Sequence, residues 1–164
     1  IMLVAQFLLL MAVVAFSPLL ASAHAATPPA DPMAGVTVET LGRGVSAAAP
    51  DHVVLLLRIT MAPGAHIPMH THPGQVILFV ESGTFGTTFG EGDALITRVP
   101  VEDTPVLAQK ARANVEEIMT AGASVTYSNV TTHIMRNPGD QPLVLLISAL
   151  LSADEPGFTF VPNA

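Results

Sequence analysis

The sequence predicts an all-β domain, a sandwich or barrel of short strands, over residues 35–164. Two observations support this fold class: the apolar runs in this region are short, and turn signals built on Gly and Pro separate them at close spacing. Such spacing is typical of β-sandwiches and β-barrels. Because no internal repeat is visible, we expect one barrel and not a duplicated one.

The strands follow from the positions of these turns, taken in order along the chain. Each predicted strand is an apolar or β-branched run that ends at a turn signal such as Ala62-Pro63-Gly64 or Asn137-Pro138-Gly139-Asp140. One segment differs: Pro105–Met119 is rich in good helix formers, so it is predicted to be either a helix or an irregular surface insertion. The predicted strands are Val36–Thr40, Val53–Met61, His66–His72, Val76–Glu81, Thr84–Phe89, Ala94–Val99, Ser124–Ser128, Thr132–Arg136, Leu143–Leu150 and Phe158–Val161.

A hydrophobic leader precedes this domain. The run Ile1–Leu20 is apolar apart from three residues, and the small-residue segment Ala21–Ala26 follows it. This pattern predicts a secretory signal peptide over residues 1–25, cleaved after Ala23 or Ala25 and helical until then, although no positively charged residue precedes the apolar run. A retained membrane anchor is the alternative, because about 20 apolar residues can span a bilayer. Both interpretations place the domain outside the cytoplasm, after a Pro-rich linker at 26–34.

The composition excludes several classes of function. The chain has 13 acidic against 6 basic residues and a net charge of −7, without a basic cluster, so a nucleic-acid partner is not expected. The absence of cysteine excludes disulfides, thiolate metal sites and a cysteine nucleophile. A metal would have to be bound by histidine, carboxylate or amide oxygen. Membrane contact is expected only through the leader, if it is retained.

The histidines are the clearest candidates for chemistry. His66, His70 and His72 fall within seven residues just before a Pro-Gly turn. Because side chains alternate along a strand, His70 and His72 share one face, and His66 shares it if the strand is straight. Such a pair forms half of a metal site, and an opposing strand must supply the rest. The alternative is that these are ordinary histidines with hydrogen-bond partners.

Two spaced motifs resemble those of the cupin family. The first, G-x5-H-x-H-x3,4-E-x6-G, is matched by Gly64, the His70/His72 pair and Gly83. The second, G-x5-P-x-G-x2-H-x3-N, is matched by Gly122, His133 and Asn137. The resemblance implies a small single-domain cupin over residues 35–164, with one cupin-type β-barrel (a double-stranded β-helix or jelly roll).

By this resemblance, His70, His72 and His133 are the expected metal ligands. Three histidines leave up to three positions open for water, substrate or dioxygen, as in cupin dioxygenases that lack the motif's glutamate. His66 would line the same cavity as a fourth ligand or a proton shuttle, although a histidine without a role at the barrel mouth is the alternative. Asn137 is expected to orient the turn that follows it.

The sequence also departs from the two motifs. The motif's glutamate falls on Val76, and the neighbouring Gln75 has a carbonyl oxygen that would replace it if the side chain pointed inward. Because side chains alternate between the two faces of a strand, Val76 and Gln75 are not expected to face inward together. Ser128 and Val130 replace the second motif's Pro and Gly, so the turn before its histidine is less constrained. Loss of the carboxylate makes the site one unit more positive, which favours anionic, chelating ligands.

The resemblance implies a divalent transition metal, namely Fe, Mn, Zn, Ni or Cu, and a small-molecule ligand or substrate. The first hypothesis is an oxygenase, or a decarboxylase- or isomerase-type enzyme, that acts on a small organic acid. The second is a non-catalytic cupin for ligand binding, sensing or storage with a degenerate metal site, and the third is a barrel without metal. We also expect a homodimer, because the apolar stretch Leu143–Leu150 is richer than one inward face requires.

Overall fold

The computed structural model of the protein describes residues 31–98 and 108–162. Regular structure in these ranges consists of β-strands only, which confirms the predicted fold class. The predicted leader, residues 1–25, lies outside the described residues, as does most of the linker. Across the described ranges, no helix has the length and apolarity needed to cross a bilayer. The strands are β1 Val36–Ser46, β2 Ala49–Met61, β3 His66–Thr71, β4 Gly74–Ser82, β5 Thr84–Phe89, β6 Ala94–Thr97, β7 Ala108–Lys110, β8 Glu116–Thr120, β9 Ser124–Tyr127, β10 His133–Arg136, β11 Leu143–Ser152 and β12 Thr159–Phe160.

The strands form two antiparallel sheets. One has seven strands in the order β1-β2-β11-β4-β9-β6-β7, and the other has five in the order β12-β3-β10-β5-β8. Strand β11 shows how the sequence forms a sheet with one buried face: Leu143, Leu145 and Ile147 are buried, whereas the residues between them are partly exposed. The buried rows of both sheets meet in one apolar core. Each large apolar side chain that is fully buried there contributes about 1.5–3 kcal/mol.

Pro105–Met119 was predicted to be a helix or an irregular insertion, and for the residues that the structure describes, 108–119, neither prediction holds as a whole. They form β7 and β8, joined by a turn in which Asn114 has a left-handed φ of 58°. Pairing decides the outcome, because β8 hydrogen-bonds to β5 along its whole length and buries Glu117 and Met119 on one face. Packing of this kind overrides helix propensity, which is a weak preference. The buried Glu117 lies between two arginines, Arg98 at 2.8 Å and Arg112 at 3.2 Å.

A β-bulge in β3 determines which histidines face the interior. His133 of β10 pairs with His70, and Met135 pairs with Ile67, so β3 has one extra residue between these two pairs. Ile67 and His70 consequently both point inward, although they are three positions apart. His66 falls on the outer side and is exposed. The expectation that His66 lines the same cavity as His70 is therefore wrong, because the strand is not straight.

Candidate metal centre

Three histidines converge inside the barrel. They lie where the last residues of β3 pair with the first residue of β10 in the five-stranded sheet. His70 lies in β3, His72 directly follows that strand, and His133 begins β10 opposite His70. One ring nitrogen from each residue lies within 4.8 Å of those from the other two. The ring centroids of His70 and His133 are 4.1 Å apart, and that of His72 lies 5.1 and 5.4 Å from them. The structure thus brings together the three residues that the motifs predict.

Backbone carbonyls orient two of these rings. His70 Nδ1 lies 2.7 Å from the carbonyl oxygen of Pro68, and His72 Nδ1 lies 2.9 Å from that of Gly157. A carbonyl oxygen only accepts hydrogen bonds, so each Nδ1 carries the proton and donates it. The Nε2 atom of both rings then holds a lone pair, which is the arrangement that outer hydrogen bonds give to metal-binding histidines.

His133 is held differently. Its Nε2 lies 3.2 Å from the hydroxyl of Tyr127. The backbone of Thr131 lies beside the same ring, but the buried Nδ1 atom has no well-formed hydrogen bond among the described residues. Three imidazoles that each bring one ring nitrogen to the same place form a donor set that fits a transition metal.

Burial keeps the three rings neutral. Removal from water lowers the pKa of His70 to about 4, helped by the nearby His72. The same desolvation lowers the pKa of His72. It lowers the pKa of His133 well below its ordinary value, and a proton on His70 or His72 would disfavour one on His133 further. Neutral imidazole is the form that binds metal, so the cluster is ready for an ion at pH 7.

No carboxylate joins the cluster in residues 31–98 and 108–162. Val76, at the position of the motif's glutamate, is 1% exposed and lines the interior beside His70 and His72. Gln75 points to the opposite side of β4: it is exposed, and its Nε2 donates to the backbone carbonyl of Tyr127 at 2.8 Å. The structure therefore does not bring Gln75 into the cluster.

His66 is also outside the cluster. It lies at a separate surface depression formed with the segments 31–35 and 62–65. Asn137 orients its turn as the sequence predicts: its side chain donates to the carbonyls of Met61 and Gln141 at 3.0 and 2.8 Å and accepts from the amide of Gly139 at 2.9 Å.

Tyr127 is a site residue that sequence reasoning missed. It is the only tyrosine of the chain, it is 2% exposed, and burial raises its pKa. The alternation of β9 predicts its orientation, because Val125 and Tyr127 share the buried face. Its position six residues before His133, within the second motif, is the signal that could have identified it.

The fold and the cluster define a class of protein: an antiparallel jelly-roll barrel with three histidines converging inside it. No protein-family model matches the sequence, and no curated protein sequence matches it. Among solved structures, an RmlC-like cupin from Shewanella frigidimarina is similar, with a TM-score of 0.50 and 16% identity over 73% of this chain and 79% of that chain.

Two further structures are more distant. KdgF from Halomonas sp. has a TM-score of 0.47 and 14% identity over 70% of this chain and 78% of that one. The Cupin_2 domain of an XRE family transcriptional regulator from Enterobacter cloacae has a TM-score of 0.46 and 14% identity over 71% of this chain and 96% of that one. The described part of the chain has the cupin fold, as the two motifs predict.

Proposed function

We propose that this chain is an extracytoplasmic cupin that binds one divalent transition metal through His70, His72 and His133. The observation that carries the proposal is the convergence of three ring nitrogens within 4.8 Å of one another. The backbone bonds of His70 and His72 fix both tautomers with Nε2 unprotonated. Fe, Mn, Zn, Ni and Cu all remain candidates, since geometry and ligand type, more than raw affinity, decide between such metals.

A metal bound here would supply Lewis acidity and open positions for water, dioxygen or a chelating substrate. The protein's own contribution is to exclude water and to hold the rings in place. Because Val76 replaces the glutamate, the ligand set carries no negative charge, which favours an anionic, chelating ligand. These properties support an oxygenase or another metal-dependent enzyme that acts on a small organic acid.

A non-catalytic cupin for ligand binding, sensing or storage is the second candidate. It is favoured by the scarcity of acid–base groups around the cavity beside the cluster. Apart from His70 and His72, the described residues that line this cavity have no titratable side chain. Tyr127 is close to His133, but its raised pKa makes it a poor proton donor near neutral pH.

Metal titration of the full chain tests the proposal. After treatment with a chelator, calorimetry should show one equivalent of zinc bound by the wild type and by His66→Ala, which removes an exposed histidine outside the cluster. His133→Ala should bind zinc at least about 100-fold more weakly, because His70 and His72 alone supply only two of the three protein ligands that such a site needs. Equal zinc binding by wild type and His133→Ala would refute the three-histidine site.

Activity separates the two candidates. The metal-loaded protein is offered diketones, phenolic acids and thiols in the presence of dioxygen. Turnover that disappears in His133→Ala supports the enzyme. Stoichiometric metal with ligand binding but no turnover supports the non-catalytic cupin.

The proposed location rests on the predicted signal peptide at residues 1–25. Mass spectrometry of the protein recovered from outside the cytoplasm should find a new N-terminus after Ala23 or Ala25. An intact leader on that protein would favour the membrane anchor.

A further inference from the structure

An apolar cavity of about 150 Å³ lies between the two sheets, on the side of the cluster formed by His70 and His72. Those two imidazoles are the only polar side chains among the residues that line it within the described ranges. The rest of the lining is aliphatic or aromatic, apart from Gly157. The walls include Leu55, Leu57, Ile59, Ile67, Ile147 and Leu151.

The size and the lining of the cavity restrict what it can bind. An engineered protein cavity of about the same volume, lined by Leu, Ile and Phe, stays dry and binds benzene. Among the described residues that line the cavity, a carboxylate would find no cationic side chain, hydroxyl or side-chain amide to pair with, and burial of an unpaired charge is strongly unfavourable. Dicarboxylates and sugars are therefore poor ligands, whereas a single apolar ring fits.

The two histidines determine where a polar head would lie. They are the polar side chains of the lining as far as residues 31–98 and 108–162 form it, and Val76 lies beside them where the motif has its carboxylate. A ligand that carries two adjacent oxygens would place them at this wall, toward a metal held by the cluster, and its ring among the aliphatic side chains. Val38 and Phe158, which are 48% and 39% exposed, lie where the lining reaches the surface and mark the entrance.

We propose that the ligand of this site belongs to the catechol class: one apolar ring of about benzene size with two adjacent oxygen donors. The ring occupies the cavity, and the oxygens chelate the metal. The chelating half of this proposal, that the two oxygens bind the metal, rests on the proposed function. The apolar half, that the ring occupies the cavity, depends on the cavity alone. The ligand keeps the acidic, chelating head that the proposed function requires, but this head is a pair of adjacent hydroxyls on an apolar ring and not a carboxylate.

Two probes test the two halves separately. Benzene is titrated into the metal-free full chain and followed by NMR, and 4-methylcatechol and oxalate are titrated into the zinc-loaded chain and followed by calorimetry. We expect saturable benzene binding, and at least about tenfold tighter binding of 4-methylcatechol than of oxalate. Tenfold corresponds to about 1.4 kcal/mol, which is less than burial of one apolar ring is expected to contribute.

A matched pair of variants on β11 provides the control. Ala149 is buried and lines the cavity, whereas the adjacent Ser148 is exposed on the outer face. Ala149→Phe should reduce benzene and 4-methylcatechol binding at least about tenfold, because it fills the cavity, while Ser148→Phe should leave both unchanged. Ala149→Leu, with a smaller increase in volume, replaces Ala149→Phe if the latter does not fold.

Each outcome discriminates between the halves. Zinc binding without benzene or 4-methylcatechol binding would overturn this inference and leave the metal site standing. Benzene binding without zinc binding would refute the proposed function and the chelating half, and would leave only an apolar pocket. Preference for oxalate, or Ala149→Phe binding as well as wild type, would overturn the assignment of the ligand to this cavity.

Discussion

Acidification should destabilise the metal-free protein because the clustered histidines stay neutral in the folded state. His70 is 2% exposed, and burial lowers its pKa from 6.5 to about 4. Below pH 6.5 the His70 ring binds a proton in the unfolded chain but stays neutral in the folded chain. The free energy of unfolding therefore falls as the pH falls. One pH unit corresponds to about 1.4 kcal/mol, so His70 alone contributes a loss of about 2 kcal/mol at pH 5 and about 3 kcal/mol at pH 4. His72 and His133 act in the same direction.

Urea denaturation of the chelator-treated chain, followed by circular dichroism at pH 7, 6 and 5, measures this loss. His70→Gln should reduce the loss between pH 7 and 5 by about 2 kcal/mol, because it removes the titrating ring. His66→Gln, which changes an exposed histidine on the same strand, should leave it unchanged. If wild type and His70→Gln lose the same free energy between pH 7 and 5, the ring is charged in the folded protein and the reasoning fails.

Three further predictions follow from single contacts. Tyr127→Phe should lower the free energy of unfolding by about 1–2 kcal/mol, because it removes the hydroxyl that hydrogen-bonds to the buried Nε2 of His133; equal urea midpoints for the variant and the wild type would contradict this. Glu117→Gln should cost about 1–3 kcal/mol, since its buried carboxylate lies between Arg98 and Arg112, and a thermal melt unchanged from the wild type would refute that role. The outer face of the seven-stranded sheet exposes Phe79 and other apolar residues, so a dimer is expected. Light scattering of the uncleaved chain should give twice its mass of 17.0 kDa, and Phe79→Glu should give a monomer; a monomeric wild type would exclude the dimer.

The alternation of apolar and polar residues along the strands made most of the fold predictable. In β4, Val76, Leu78 and Val80 are buried and the residues between them are exposed, and the flanking Pro-Gly and Ser-Gly turns give both ends to within two residues. These signals are local, so the sequence alone carries them. The placement of His133 with His70 and His72 was implied by the resemblance to the two cupin motifs.

Non-local pairing accounts for what could not be predicted. The residues of β7 and β8 are good helix formers, and only their hydrogen bonds to β6 and β5 make them strands. The bulge that turns His66 outward depends on how β3 pairs with β10, although Pro68, which cannot donate to a ladder, is a signal compatible with it. The contact of Tyr127 with His133 joins two strands that belong to different sheets, β9 and β10.

The most direct test of the metal site is a crystal structure of the zinc-loaded full chain, with anomalous diffraction recorded on both sides of the zinc absorption edge. We expect one anomalous peak about 2.0–2.1 Å from a ring nitrogen of each of His70, His72 and His133, the distance of ordinary zinc–histidine bonds. Val76 should line the open side, and Gln75 should still face outward. A peak elsewhere in the molecule, or no peak in a crystal grown with excess zinc, would contradict the proposal that these three histidines bind metal.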